Sequence, residues 1–138
     1  MSYLLDTNVI SELIKSKSNK NVINWFTSVP EDSLHISVLT IGEIRKGVEK
    51  VTENNKKEKY KMWLEHSIVT RFADRLLNIN IQVAERWGRL LYDMKRSIPA
   101  IDSLIGATAL HYDLTLVTRN IKDYQFPQLN CINPWEFK

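Results

Sequence analysis

Short apolar runs alternate with longer amphipathic stretches along this chain. The run Ser2–Leu5 has the length and composition of a buried strand, and the residues after it are apolar at positions 9, 10, 13 and 14, which is helical spacing. The alternation continues to the end of the sequence. It predicts strands at residues 2–5, 34–38, 76–79 and 114–118 with a fifth candidate at 130–132, and helices at 8–15, 21–29, 40–51, 62–72, 83–94 and 102–110.

The order of these elements predicts the fold class. Strands that alternate with helices pair in parallel, because a crossover helix connects each strand to the next, and parallel sheets are covered on both faces. We therefore expect an α/β fold with three layers, α/β/α, around a central, mostly parallel sheet of four to five strands. A length of 138 residues favours one domain spanning residues 1–138.

Composition narrows the classes of protein that need to be considered. A single cysteine, Cys131, excludes an intrachain disulfide and a zinc site built on paired cysteines. The sequence has no signal-type segment and no apolar run near the roughly 20 residues that a membrane span needs, so we expect a cytoplasmic protein without membrane contact. The net charge of +3 permits a polyanionic partner but does not require one.

Four acidic residues fall near the predicted carboxyl ends of the strands. Asp6 follows the first strand, and Glu43 lies in the first turn of the helix after the second strand. Asp123 follows the fourth strand, and Asp102 opens the helix after Pro99. Functional groups in open parallel sheets gather beyond the carboxyl ends of the strands. The pattern therefore predicts that these four carboxylates meet at one edge of the sheet.

Each acid also has a purely structural interpretation. Asp6 could favour the positive end of a helix, Asp102 could be an N-cap, and Asp123 could be a turn residue. Glu43 could form a capping box with Thr40. Convergence would favour a metal site instead, because each like-charged pair at about 4 Å costs on the order of 4 kcal/mol at an effective dielectric near 20. An all-oxygen site suits Mg²⁺ or Mn²⁺, which can activate water against a phosphodiester.

Four ordered blocks of the sequence are similar to those of one known family. They are LLDTNVISEL, SVLTIGEIRKGVE, IPAIDSLIGATALHYDLTLVTRNIKDY and INPWE. Together they resemble the VapC-type toxins of bacterial toxin–antitoxin pairs, which are PIN-domain ribonucleases. The resemblance runs from the first predicted strand to the C-terminal block, and only the charged stretch near residues 50–65 is uninformative.

The resemblance assigns roles to individual residues. It implies that Asp6 and Asp102 are magnesium ligands and that Glu43 and Asp123 complete the catalytic pocket. Two residues depart from the family pattern without removing an acid: Gly106 stands where Ala is usual, and Tyr124 where Phe is usual. Further candidates are Thr118 and Asn120, as polar neighbours that orient the site, and Arg45, Arg119 and Lys122, as cations that could contact RNA phosphates.

The function implied by the resemblance is that of a toxin. A Mg²⁺-dependent endoribonuclease, in which Mn²⁺ can substitute, would hydrolyse RNA phosphodiester bonds, with tRNA among the expected targets, and so inhibit translation and growth. The resemblance further implies a homodimer and a cognate antitoxin whose C-terminal segment blocks the acids.

Two other functions remain open from the residues. One is a non-catalytic PIN-like module that binds RNA or protein. The other is phosphoryl transfer with Asp6 as the nucleophile, which is disfavoured because Asn8 stands where such phosphatases carry a second Asp.

Overall fold

All 138 residues are described by the structure, a computed structural model. Its centre is a parallel sheet of five short strands in the order β3-β2-β1-β4-β5. The strands are β1 Tyr3–Leu5, β2 Leu34–Ser37, β3 Leu76–Leu77, β4 Thr115–Val117 and β5 Cys131–Ile132. The helices are α1 Thr7–Glu12, α2 Lys20–Ser28, α3 Val38–Glu49, α4 Asn54–Met62, α5 Val69–Arg71, α6 Ile81–Asp93 and α7 Ala100–His111.

Strand β1 lies in the middle of the sheet and pairs on both sides. Tyr3 is opposite Leu34 of β2 and Thr115 of β4. Successive residues of a strand point to opposite faces, and in β1 both Leu4 and Leu5 are fully buried, each in a different core. The predicted three-layer α/β/α architecture with a parallel sheet is therefore confirmed.

Two apolar cores lie on opposite faces of the sheet. The Leu5 side is packed by residues of α2, α3 and the segment before β3, and the Leu4 side by residues of α6 and α7. No helix of the chain is both long enough and apolar enough to cross a membrane.

The start of α3 differs from its prediction. The helix begins at Val38 instead of Thr40, because the Ser37 side chain accepts a hydrogen bond from the Leu39 N–H at 3.0 Å and caps it. Val38 is therefore helical and not part of β2. Ser37 is both the last residue of β2 and the N-cap of α3. The spacing of apolar residues does not show where one element ends and the other begins, so it could not locate this boundary.

Other elements are displaced by a few residues. Helix α1 ends at Glu12 and not Lys15, and α7 begins at Ala100, ahead of Asp102. The charged stretch forms α4, which has no buried residues, and it continues through a π-helical segment, Trp63–Ile68, into α5. Helix α4 has no apolar stripe, so periodicity alone could not reveal it.

At Gly106 the packing leaves no room for a side chain. A β-carbon added there would lie 2.5 Å from Cε2 of Phe126, a ring that is 4% exposed. The glycine thus allows the segment after β4 to pack directly on α7.

We expect Gly106→Ala to lower the free energy of unfolding by about 1–3 kcal/mol, because the new methyl group would overlap the buried Phe126 ring. Chemical denaturation monitored by circular dichroism measures this change. Gly47→Ala in α3 is the matched control, since nothing lies within 4 Å of its added β-carbon, and it should stabilise the chain by roughly 0.5–1 kcal/mol. Equal effects of the two substitutions would contradict the packing role of Gly106.

Candidate active site

Asp6 lies at the carboxyl end of β1 and is 7% exposed. It is the N-cap of α1, and its Oδ1 accepts a hydrogen bond from the Thr7 N–H at 2.8 Å. Its Oδ2 accepts a second bond, from Thr118 Oγ1, also at 2.8 Å, and a longer one from Asn8 Nδ2 at 3.4 Å. Asp6 therefore caps the helix and also presents a firmly held carboxylate at the strand end.

Glu43 lies on α3 and is linked to the same strand end. Thr7 Oγ1 donates to Glu43 Oε1 at 2.5 Å, and it also lies 3.2 Å from Thr40 Oγ1. The capping-box interpretation of Thr40 and Glu43 is wrong, because Ser37 caps α3 and Thr40 is buried inside the helix. Glu43 is instead an exposed acid whose charge acts on Asp6.

Asp102 lies in the first turn of α7, but it does not cap that helix. The N-cap position is occupied by Pro99, and no side chain bonds the first turn there. The Asp102 carboxylate instead accepts a hydrogen bond at 3.2 Å from Tyr124 Oη. The charges of both Asp6 and Asp102 act on this hydroxyl, so Tyr124 lies near both carboxylates and bonds Asp102.

Asp123 lies in the 3₁₀ turn Ile121–Tyr124 after β4 and is exposed. Its charge acts on Asp102, just as that of Glu43 acts on Asp6. The four predicted acids thus form two neighbouring pairs, and Tyr124 lies near Asp6 of one pair and Asp102 of the other. No three or more His, Cys, Asp or Glu side chains are arranged as a ready-made metal cage.

The carboxylates of Asp6 and Asp102 lie in an environment that disfavours their ionised form. Burial raises the pKa of Asp6, and the charge of Glu43 raises it further. The hydrogen bonds from Thr118 and the Thr7 N–H act in the opposite direction and lower this pKa. Burial likewise raises the pKa of Asp102, and so does Asp123. Burial also raises the pKa of Tyr124 far above its usual range, so this hydroxyl remains a proton donor.

The donor set fits a hard divalent cation. Mg²⁺ is usually bound by one or two carboxylates and keeps several waters, so an all-protein cage is unnecessary. Asp6 and Asp102 would supply carboxylate oxygens, and a cation between them would offset the cost of burying two like charges. The oxygen ligands favour Mg²⁺ or Mn²⁺ over zinc.

The supporting residues act in unequal ways. Thr118 is fully buried and donates its hydroxyl to Asp6. Asn120 contributes its backbone N–H, which donates to Thr118 Oγ1 at 3.1 Å, while its side chain is exposed. Asn8 was not singled out as a site residue from the sequence, yet it bonds Asp6 and accepts from the Arg119 N–H at 3.3 Å. Its position two residues after Asp6, in the first turn of α1, was the signal available in the sequence.

The three candidate RNA-binding cations differ in their surroundings. Arg45 is paired with Glu65 at 2.5 Å, so a phosphate contact would require this ion pair to break. Arg119 places its guanidinium 5.0 Å from the centre of the Trp135 ring, and Lys122 is exposed beside Asp123. Lys122 therefore adjoins one of the acids along the chain, whereas the guanidinium groups of Arg119 and Arg45 are engaged by Trp135 and Glu65.

Fold and site together define an α/β domain with acidic side chains at the carboxyl edge of a parallel sheet. The PIN domain matches residues 3–128, so the chain belongs to the PIN-domain family. The chain is 34% identical to toxin FitB of Neisseria gonorrhoeae, covering 96% of this chain and 97% of FitB. It is 29% identical to VapC ribonuclease Y4jK of Sinorhizobium fredii, covering 96% of this chain and 97% of that protein.

Solved structures agree with this assignment. The crystal structure of FitAcB from Neisseria gonorrhoeae superposes with a TM-score of 0.89 and 33% identity, covering 98% of this chain and 99% of that one. A toxin–antitoxin complex from Klebsiella pneumoniae gives a TM-score of 0.71 and 27% identity, covering 99% of this chain and all (100%) of the other.

We expect Asp102→Asn to stabilise the metal-free chain at neutral pH. Because the pKa of Asp102 is higher in the folded chain than its ordinary value of 3.8, ionisation favours unfolding, and this carboxyl's contribution to stability is lost as the pH rises through the folded pKa. The melting temperature of Asp102→Asn should exceed that of the wild type at pH 7, and the gap should close as the pH falls toward 4.

Asp32→Asn, which removes an exposed carboxylate before β2 at the opposite edge of the sheet, is the matched control. A gain for Asp102→Asn that is the same at every pH would contradict the electrostatic origin.

Proposed function

We propose that this chain is the toxin of a type II toxin–antitoxin pair and acts as a Mg²⁺-dependent endoribonuclease. The observation that carries the proposal is a pair of partly desolvated carboxylates at the strand ends, Asp6 and Asp102, both of which lie near the Tyr124 hydroxyl that bonds Asp102. The relatives named as a toxin and as a VapC ribonuclease support it, since both align over nearly the whole chain.

Asp6 and Asp102 would hold the cation in this mechanism. When bound, the metal would activate a water molecule and offset charge on the scissile phosphate. Asp6 would stay in place because Thr118 and the Thr7 N–H hold its two oxygens separately. Glu43, bonded through Oε1 to Thr7, would keep Oε2 available to accept a proton from the attacking water. Cleavage would leave a 5′-phosphate and a 3′-hydroxyl.

RNA would approach over the Asp123 side of the site. Arg119 and Lys122 would contact phosphates there, which would make binding weaken with salt. Structured RNAs such as tRNA are the targets that the family resemblance favours, and these lie in the cytoplasm. Inhibition of translation and growth would follow from their cleavage.

The antitoxin would occupy a groove that includes one of the four acids, Glu43. This groove has a volume of about 270 Å³, and five of its nine lining residues are hydrophobic. It is lined by Ser11, Ile14, Lys15, Glu43, Ile44, Gly47, Val48, Tyr60 and Trp63. An extended antitoxin segment with apolar side chains could fill it and reach Glu43, and the toxin–antitoxin complex among the similar structures supports such a partner.

A homodimer is part of the proposal. Ile81 and Tyr92 are 76% and 86% exposed, and their spacing of three helical turns puts them on one face of α6. Two large apolar side chains exposed on one helix face are suited to contact a second copy.

The decisive experiment is expression of the wild type, Asp6→Asn and Asp102→Asn in a bacterium, followed by analysis of total RNA and by cleavage assays on purified protein. We expect the wild type to arrest growth and fragment RNA, and each substitution to lower cleavage at least about 100-fold, because the metal would lose a ligand worth several kcal/mol. Asp32→Asn is the control and should remain toxic.

Two outcomes would contradict the nuclease proposal. One is equal toxicity of the wild type and all three variants, and the other is RNA cleavage that persists after chelation of divalent ions. An inert wild type that binds RNA or a peptide would favour the non-catalytic binding module instead.

We expect Gly47→Trp to weaken neutralisation by the cognate antitoxin, because an indole at this position would fill the groove. Growth during co-expression of toxin and antitoxin measures the effect, and the antitoxin affinity should fall tenfold or more. Lys46→Trp places the same ring on an exposed position next to it on α3 and should remain neutralised. Neutralisation of Gly47→Trp at wild-type strength would place the antitoxin elsewhere.

A further inference from the structure

Tyr124 is a residue of the acidic site for which the family pattern, with Phe at this position, provides no hydroxyl. Tyr124 is 3% exposed, and its Oη donates to Asp102 Oδ1 at 3.2 Å. The charge of Asp6 also acts on this hydroxyl. A phenylalanine would fill the same space but would offer no donor to either carboxylate.

The two carboxylates depend on this hydroxyl to different degrees. Asp6 has independent donors in the Thr7 N–H and Thr118 Oγ1, both at 2.8 Å. The Asp102 carboxylate has one hydrogen bond, the one from Tyr124. Without it, rotation of the Asp102 side chain would be limited by packing alone, so Tyr124 has the greater effect on Asp102.

Packing fixes the position of the Tyr124 ring relative to α7. The rings of Tyr124 and Phe126 meet edge to face, with centroids 5.9 Å apart. Phe126 in turn packs on α7 at Gly106, one helical turn after Asp102, where a β-carbon would overlap it. The two departures from the family pattern, Gly106 and Tyr124, are thus connected through Phe126.

We propose that Tyr124 is a positioning residue whose hydroxyl holds Asp102 beside Asp6 in the arrangement that receives the divalent cation. The inference rests on the proposed function, because it assigns Asp102 to the metal. The hydroxyl does not take part in the hydrolysis. It removes the need to order the Asp102 side chain when the cation binds, which is the usual effect of a hydrogen bond to a metal-binding carboxylate.

Calorimetric titration of the purified chain with Mn²⁺ tests the role of Tyr124. We expect Tyr124→Phe to bind Mn²⁺ about 10- to 100-fold more weakly than the wild type, the loss typical when a partner of a metal ligand is removed. RNA cleavage should then need correspondingly more Mn²⁺ but approach the wild-type kcat at saturation. A merely structural role would not raise the Mn²⁺ concentration needed for cleavage while leaving kcat at saturating Mn²⁺ unchanged.

The controls use matched chemistry. Tyr112→Phe removes the same atom from a tyrosine whose hydroxyl accepts a bond from Asn80 Nδ2 at 3.0 Å, away from the acids, and should leave Mn²⁺ affinity unchanged. Melting in the presence of EDTA checks that Tyr124→Phe is folded. Replacement of Tyr124 by 4-aminophenylalanine keeps a donor at the same point of the ring and should retain most of the wild-type affinity. If the Phe variant is unstable, the 4-aminophenylalanine variant is compared with the wild type alone, and an affinity as low as that of Asp102→Asn would overturn the inference.

The outcomes separate this inference from the proposed function. If the wild type binds Mn²⁺, Asp102→Asn does not, and Tyr124→Phe binds as tightly as the wild type, the role of Tyr124 is overturned while the metal site stands. Equal affinity of the Phe and 4-aminophenylalanine variants would also overturn it. A wild type that binds no Mn²⁺ would overturn the proposed function and this inference together.

Discussion

A buried hydrogen bond from Thr118 Oγ1 to Asp6 Oδ2 joins the carboxyl end of the central strand β1 to that of its neighbour β4. It satisfies an oxygen of a carboxylate that burial has separated from water, and bonds of this charge-assisted kind contribute roughly 1.5–3 kcal/mol. The other oxygen of Asp6 starts α1 through the Thr7 N–H. The Thr7 hydroxyl in turn donates to Glu43. The start of α1 and the position of Glu43 therefore both depend on the hydrogen bonds that hold the Asp6 carboxylate.

The site holds its acids with neutral donors. Hydroxyl groups of Thr7, Thr118 and Tyr124 bond the carboxylates, while the nearby cations are engaged elsewhere, Arg45 with Glu65 and Arg119 over Trp135. Neutral donors orient a carboxylate without cancelling its charge, so the pocket keeps a negative potential that attracts a cation. Burial raises the pKa of both Asp6 and Asp102, so ionisation of either carboxyl lowers the stability of the fold at neutral pH.

The sequence predicted the parallel sheet and the neighbourhood of the acids because both follow from periodicity and strand ends. It did not predict the start of α3, since Ser37 serves two elements at once, or α4, which lacks an apolar stripe. The hydrogen bond between Tyr124 and Asp102 also could not be predicted from the sequence. It depends on how the turn after β4 folds back onto α7, and that path is set by the absence of a β-carbon at Gly106 and by the bulk of Phe126.

The separation between Asp6 and Thr118 along the chain has a consequence for biosynthesis. The two residues are 112 positions apart, and Asp102 and Tyr124 also follow α6 in the chain. A nascent chain that has been translated only as far as α6 contains Asp6 and Glu43, but it has neither β4 to fix Asp6 nor the pair Asp102 and Tyr124. The ribosome that makes this protein is therefore not exposed to an assembled acidic site until β4 has entered the sheet beside β1.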